Sequence, residues 1–104
     1  MSRGIARKVR ESNLKTQCLK WLEKSEHIYA VKNHGSAYSA VGTADLTICV
    51  EGRYLAVELK KKGGKPTKIQ EWRMEQVRRA GGRAELVGHL DELRLIIWQM
   101  TEGD

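Results

Sequence analysis

Residues 43–60 read TADLTICVEGRYLAVELK, and this stretch decides the fold. Apolar residues alternate with others on both sides of Glu51-Gly52, which predicts two β-strands joined by a tight hairpin turn. A two-residue turn sets Asp45 directly opposite Glu58, whereas a three-residue turn would break that register. Directly opposed residues point to the same face of a sheet, with their Cβ atoms about 4.5–5.5 Å apart. The hairpin therefore predicts two carboxylates aimed at one point.

Two carboxylates at one point repel each other unless something compensates their charge. A divalent cation between Asp45 and Glu58 would remove the repulsion, and carboxylate oxygens are ligands that Mg²⁺ and Mn²⁺ prefer. Lys60 lies one pleat beyond Glu58 on the same face. It would then position or help deprotonate an attacking water, or offset charge in the transition state. The alternative is an ordinary surface ion pair between Glu58 and Lys60, worth less than about 1 kcal/mol.

The composition of the 104-residue chain restricts the classes of protein it can belong to. Its length suits one compact domain. Nineteen Lys and Arg against 13 Asp and Glu give a formal charge of +6, which favours polyanionic partners, nucleic acid first. We expect no secretory signal, no membrane span and a cytoplasmic location, because the chain has no long apolar run. Cys18 and Cys49 lack zinc-site spacing and are expected to be reduced, half-buried thiols.

The rest of the chain predicts the element order α-β-β-β-α-β-α, an α/β fold with a small mixed sheet flanked by helices. We expect residues 1–10 to be a basic, flexible N-terminus, residues 11–100 a single domain, and residues 101–104 a tail. The predicted elements are a helix over 11–25, strands over 27–33, 44–50 and 53–60, a helix from Pro66-Thr67 to Gly81-Gly82, a strand over 83–88, and a helix over 90–100.

Several residues on the predicted helices have two interpretations. Glu11 lies on the inward stripe of the first helix, where it either matches the helix dipole or belongs to a site. Thr67-x-x-Gln70 fits a capping box, which is the interpretation that the residues alone favour for Gln70. Trp72 and Trp98 lie on helix stripes and are interpreted as core residues. The apolar stripe of the closing helix is interpreted as core, with a role in a subunit interface as the alternative.

A basic run lies beside the proposed site and comprises Lys61, Lys62, Lys65 and Lys68. Such a run is usually a solvated loop, and here it would also suit a phosphate backbone. His34, in the loop before Asp45, contacts either substrate or solvent. The arginines of the second helix and the following strand form either an outer face or a DNA-facing patch; they are Arg73, Arg78, Arg79 and Arg83.

Asp45, twelve intervening residues and then Glu58-Leu59-Lys60 together resemble the PD-(D/E)xK nuclease motif. More narrowly, residues 11–91 resemble the VRR-NUC family in its small, stand-alone, virus-type form. Ala44 stands where the motif name has proline, a residue that shapes the backbone and binds no metal. The ordered set that carries the resemblance is Glu11, Asn33-His34-Gly35, Gly42-Thr43-Ala44-Asp45, Val57-Glu58-Leu59-Lys60, Thr67-x-x-Gln70 and Ala80-Gly81-Gly82.

The resemblance implies a restriction-endonuclease-like core and an intracellular, divalent-metal-dependent endonuclease of a virus-infected or prokaryotic cell. Its implied cofactor is Mg²⁺ or Mn²⁺, held by Asp45, Glu58 and the backbone carbonyl of Leu59. Lys60 is then the catalytic lysine, Gln70 the motif glutamine near the site and Glu11 the first-helix acid. The candidate DNA contacts are Asn33, His34, Lys61, Lys62, Lys65 and Lys68.

The implied substrate is structured or branched DNA, since small members of this family resemble Holliday-junction resolvases, which act as dimers. Two cuts on opposing strands need two active sites, and a C2 homodimer of a chain with one site supplies both. Three alternatives remain open: a flap- or nick-directed nuclease, a non-catalytic nucleic-acid-binding module on the same scaffold, and a structural or regulatory small domain whose charge only keeps it in solution.

Overall fold

A four-stranded mixed sheet with helices on both faces forms the protein, as described by a computed structural model over residues 11–33, 41–60 and 63–103. Its strands lie side by side in chain order: β1 (Ile28–Lys32), β2 (Leu46–Val50), β3 (Arg53–Leu59) and β4 (Arg83–Val87). The pairs β1–β2 and β2–β3 are antiparallel, and the pair β3–β4 is parallel. The predicted α/β class and element order are confirmed. The helices are α1 (Glu11–Leu22), before β1; α2 (Lys68–Arg79), between β3 and β4; and α3 (Leu90–Thr101), after β4.

The β2–β3 hairpin has the predicted two-residue turn. Glu51 has φ 50° and Gly52 has φ 86°, and a positive φ at both central residues is typical of the type I′ turn that matches the twist of the flanking strands. The ladder runs from Val50 opposite Arg53 to Leu46 opposite Val57. This is the register that the sequence predicts.

Helices cover the two faces of the sheet unequally. Helix α2 is the crossover that connects the parallel strands β3 and β4, and it packs on a small cluster of Ala56, Met74 and Ala84. Helices α1 and α3 cover the opposite face. The core on that face comprises Leu14, Cys18, Leu22, Leu46, Ile48, Val50, Leu55, Val57, Leu59, Val87, Leu93, Ile96, Ile97 and Met100. The apolar stripe of α3 is therefore core, as the first interpretation held.

The two helix tryptophans are not core residues, so that prediction is wrong. Trp72 is 52% exposed and Trp98 is 53% exposed. In α2 the inward position is held by Met74, and a residue two positions away lies about 200° around the helix. In α3 the neighbouring Ile97 is buried instead. The sequence pattern did not resolve which of two nearby apolar residues points inward.

The cysteines also differ from the half-buried pair that was expected. Cys18 is completely buried and Cys49 is exposed. Burial raises the pKa of the Cys18 thiol to about 11, so Cys18 is a protonated, apolar core residue at neutral pH. In the part of the chain that the structure describes, no helix is long and apolar enough to cross a membrane.

Candidate active site

The site lies where β2 begins and β3 ends, at one end of the hairpin. Asp45 directly precedes β2, and Glu58 is the residue before the last in β3. Continuing the ladder one step beyond Leu46 and Val57 sets Asp45 opposite Glu58. The Asp45 Oδ2 atom accepts a hydrogen bond of 2.8 Å from the backbone N–H of Leu59. That bond fixes the Asp45 carboxylate on the neighbouring strand, next to Glu58.

Glu58 is a buried carboxylate, only 4% exposed. Its Oε2 atom accepts a hydrogen bond of 2.6 Å from the Gln70 side-chain amide. The Lys60 ammonium lies 3.9 Å from the same oxygen. A buried charge is costly unless it is paired and hydrogen-bonded, and these two groups supply that compensation. The pair of Glu58 and Lys60 is therefore not an ordinary exposed ion pair, the alternative that the sequence left open.

Gln70 completes a helix cap and also contacts Glu58. Its side-chain oxygen accepts from the Thr67 backbone N–H at 2.8 Å, and its own N–H donates to the Thr67 hydroxyl at 3.2 Å, which completes the capping box. The amide nitrogen remains and donates to Glu58. The amide oxygen of Gln70 serves the cap and its amide nitrogen donates to Glu58. The cap of α2 therefore also orients a hydrogen-bond donor toward the site.

Exchanging Gln70 for glutamate separates these two roles. Glutamate serves a capping box as well as glutamine, but it brings a second carboxylate against Glu58. We expect Gln70→Glu to lower the free energy of unfolding at pH 7. Much of this loss should disappear as the pH falls to 5, because one of the two adjacent carboxyls then binds a proton. Thr67→Ala should cost about 1 kcal/mol at both pH values. Chemical denaturation in EDTA measures both variants, and equal losses for Gln70→Glu at the two pH values would contradict the contact.

Lys15 is a charged neighbour of the site that the sequence analysis missed. Its ammonium lies 3.8 Å from Asp45 Oδ1, with 29% of each side chain exposed. Lys15 follows Glu11 by four residues, so the two positions share a face of α1. This i, i+4 spacing is the feature of the sequence that could have indicated Lys15 as a neighbour of the site. The Glu11 side chain lies outside what the structure describes, although Glu11 does begin α1.

Asn33 supports the segment that carries Asp45. Its side-chain amide donates to the Ala44 carbonyl at 2.9 Å and to the Thr47 hydroxyl at 2.8 Å. Its backbone N–H donates to the Asp45 carbonyl at 2.9 Å. These contacts give Asn33 a positioning role, which the sequence did not indicate.

The predicted DNA contacts are only partly within the described residues. Lys65 and Lys68 are exposed, one before α2 and the other at its first position. His34, Lys61 and Lys62 lie outside the described residues.

Gly42 fixes the approach of the Asp45 segment to α2. Its φ is 84°, and a Cβ there would lie 2.9 Å from Ile69 Cγ1 and 3.0 Å from the Ile69 carbonyl oxygen. We expect Gly42→Ala to destabilise the protein by about 2–4 kcal/mol, because left-handed strain and overpacking add. Gly52→Ala is the matched control, since Gly52 has φ 86° but nothing within 4 Å of the added Cβ. We expect Gly52→Ala to lower the free energy of unfolding by only about 1 kcal/mol. Thermal unfolding of the two variants measures both losses.

The donor set suits a hard divalent cation. Asp45 and Glu58 supply carboxylate oxygens and Leu59 a backbone carbonyl at the end of β3. Within 11–33, 41–60 and 63–103 there is no group of three or more His, Cys, Asp or Glu side chains that could hold a metal ion. Mg²⁺ needs no such group, since it takes one or two protein carboxylates and completes its shell with water and phosphate oxygens.

The sheet and its helices have the architecture of a nuclease-family fold. More particularly, the chain has the fold of a VRR-NUC domain. A solved "VRR_NUC domain protein" matches with a TM-score of 0.74 and 20% identity over 92% of this chain and 91% of that chain. A second solved structure, a "VRR_NUC domain", has a TM-score of 0.70 and 22% identity over 84% and 92% of the respective chains. No protein-family model and no curated protein matches the sequence.

Proposed function

We propose that the protein is a divalent-metal-dependent endonuclease that hydrolyses phosphodiester bonds in branched DNA, in the manner of a dimeric Holliday-junction resolvase. One observation carries the proposal. A buried glutamate, Glu58, lies beside Asp45 on a VRR-NUC fold, with Lys60 and Gln70 on one of its oxygens. A fold keeps a buried carboxylate beside a second one at a cost in stability, which is typical of functional sites.

Each residue of the site has a task in hydrolysis. Asp45, Glu58 and the Leu59 carbonyl would hold Mg²⁺ or Mn²⁺, which when bound stabilises phosphoryl charge and acidifies water. Lys60 is partly exposed, with 21% of its side chain in solvent, so its ammonium can reach the phosphate and orient the attacking water. A bond forms between the water oxygen and phosphorus as the bond from phosphorus to the leaving sugar oxygen breaks. The attacking water gives up a proton to solvent, and the leaving sugar oxygen takes one from solvent to become a hydroxyl. Gln70 holds Glu58 in place.

The positive charge of the chain supports the choice of a nucleic-acid substrate. The formal charge of +6 favours a polyanion, and exposed Lys65 and Lys68 lie near the start of α2, beside the site. Cutting two opposed strands at a junction needs a second site, which a homodimer provides.

A panel of labelled DNAs tests the proposal directly. It holds a four-way junction, a flap, a nicked duplex, a single strand and a plain duplex, each with Mg²⁺, Mn²⁺ or EDTA. We expect paired cuts in the junction with either metal and none in EDTA. Preferred cutting of the flap or nicked duplex would show a flap- or nick-directed nuclease and contradict the resolvase proposal. Junction binding with no cutting of any DNA would leave a non-catalytic binding module.

A further inference from the structure

Each of the two site carboxylates has an ammonium group beside it. The Lys60 ammonium lies 3.9 Å from Glu58 Oε2, and the Lys15 ammonium lies 3.8 Å from Asp45 Oδ1. The formal charges of these four groups cancel, so the ammonium groups compensate both carboxylates. The proposed chemistry gives Lys60 a task in hydrolysis, whereas it gives none to Lys15.

Helix α1 brings Lys15 to the site from the face of the sheet opposite to α2. Leu14 and Cys18 are buried in the core on that face, so α1 is fixed on the sheet. Lys15 follows Leu14 and lies about 100° around the helix from it, at the border of the buried stripe, with 29% of its side chain exposed. Lys15 and Gln70 therefore approach the two carboxylates from opposite faces of the sheet.

The two carboxylate oxygens of Asp45 have different kinds of partner. Oδ2 accepts a hydrogen bond of 2.8 Å from the Leu59 backbone N–H, which is a fixed contact with β3. Oδ1 faces the Lys15 ammonium at 3.8 Å, and an N–H···O hydrogen bond is shorter, at about 2.7–3.2 Å. Charge therefore holds Lys15 at Oδ1, and its flexible stem can carry the ammonium away without breaking a hydrogen bond. Oδ1 thus has a cationic neighbour that another cation can replace.

We propose that Lys15 is the counterion of Asp45 when no metal ion is bound, and that a divalent ion binds in competition with it. Lys15 would then limit the metal affinity of the protein in the absence of DNA. This inference rests on the proposed function for the metal ion, and it adds a residue that sets how readily the ion enters.

The size of the competition follows from the charges. A bond from Mg²⁺ to oxygen is about 2 Å long, so an ammonium that stayed in place would lie within about 6 Å of the ion. Repulsion at that distance corresponds to about a tenfold loss of affinity even at the dielectric constant of water. Turning Lys15 toward solvent avoids the repulsion but loses a partly exposed ion pair, which corresponds to at most about a fivefold loss.

Titration of the full chain with Mn²⁺ alone tests the inference without DNA, because the electron paramagnetic resonance signal of the aqueous ion measures free Mn²⁺. Lys15→Met removes the charge, keeps an unbranched stem and adds no oxygen ligand. We expect it to bind Mn²⁺ about 3–10-fold more tightly than the wild-type protein. Lys15→Arg should bind no more tightly than the wild-type protein. Lys20→Met is the matched control, since it removes the same charge from an exposed position in the last turn of α1.

Thermal unfolding in EDTA gives a second readout that does not need the metal ion. Lys15→Met should lower the melting temperature by a few degrees, because Asp45 then lies beside Glu58 without its counterion. In the background of Asp45→Asn the same substitution should have little effect, since the charge that Lys15 compensates is gone. An equal loss in both backgrounds would assign Lys15 to packing and overturn the counterion role.

The Mn²⁺ titration separates this inference from the proposed nuclease. Tighter binding by Lys15→Met supports the inference even if no DNA is cut, and in that case only the nuclease proposal fails. Equal or weaker binding by Lys15→Met overturns the inference even if the wild-type protein cuts the junction, and so does an equal gain in Lys20→Met. If none of the proteins binds Mn²⁺, the inference is also overturned, and cleavage of the DNA panel with Mg²⁺ decides the nuclease proposal separately.

Discussion

Replacing Lys60 by alanine is expected to lower the rate of metal-dependent cleavage by about 10²–10⁴-fold, the range for a positioned group that serves proton transfer or transition-state charge. The Lys60 ammonium lies 3.9 Å from Glu58 Oε2, at the border between the buried carboxylate and solvent. Its removal leaves the carboxylates in place. Single-turnover cleavage of a junction at saturating Mg²⁺ measures the rate constant of the chemical step, separate from binding.

Two further variants decide what Lys60 contributes. Lys68→Ala removes an exposed lysine two residues before Gln70 and should change affinity for DNA with little effect on the single-turnover rate at saturation. Lys60→Arg keeps the positive charge but not the compact ammonium. A cleavage rate between those of the wild-type protein and Lys60→Ala would show how much of the effect is due to charge and how much to the geometry of the ammonium. Full activity of Lys60→Ala would remove this residue from the mechanism and leave the carboxylates to act alone.

The hairpin could be predicted from sequence because its information is local. Glu51-Gly52 supplies the two positive φ angles that a tight turn needs. Once the turn is set, the alternation of apolar residues leaves one register that buries one face. Asp45 opposite Glu58 follows from these two facts. The element order could be predicted for the same reason, since each helix and strand has its own period and its own end signals.

The environment of each site residue could not be predicted, because it depends on contacts between elements far apart in sequence. Lys15 reaches Asp45 from α1, and nothing in the sequence fixes how α1 lies on the sheet. The outward direction of Trp72 and Trp98 depends on small rotations of α2 and α3. Gln70 appeared as a cap because the capping box is local, while its contact with Glu58 spans 12 residues.

Removing the buried carboxylate should abolish both cleavage and the response of the fold to metal. We expect Glu58→Gln to lower the cleavage rate by at least about 10³-fold, since metal-ion stabilisation of the transition state is worth several kcal/mol. In EDTA the melting temperature of Glu58→Gln should equal or exceed that of the wild-type protein. Glutamine keeps the shape and an acceptor for Gln70, and it removes a buried charge opposite Asp45.

A metal ion held by the proposed site would bind the folded state only, so adding it should raise stability by mass action. At 100 times Kd the gain is about 2.7 kcal/mol, or about 11–22 °C in melting temperature for a chain of this length. Scanning calorimetry with Mn²⁺ should show this shift in the wild-type protein and no shift in Glu58→Gln. Glu75→Gln is the control and should keep the shift, because Glu75 is an exposed acid on α2 paired with Arg78 and Arg79. A shift that persists in Glu58→Gln would locate the ion elsewhere, and no shift in the wild-type protein would remove the metal from the proposal. Because unfolding is measured without DNA, this result does not depend on having found the right substrate.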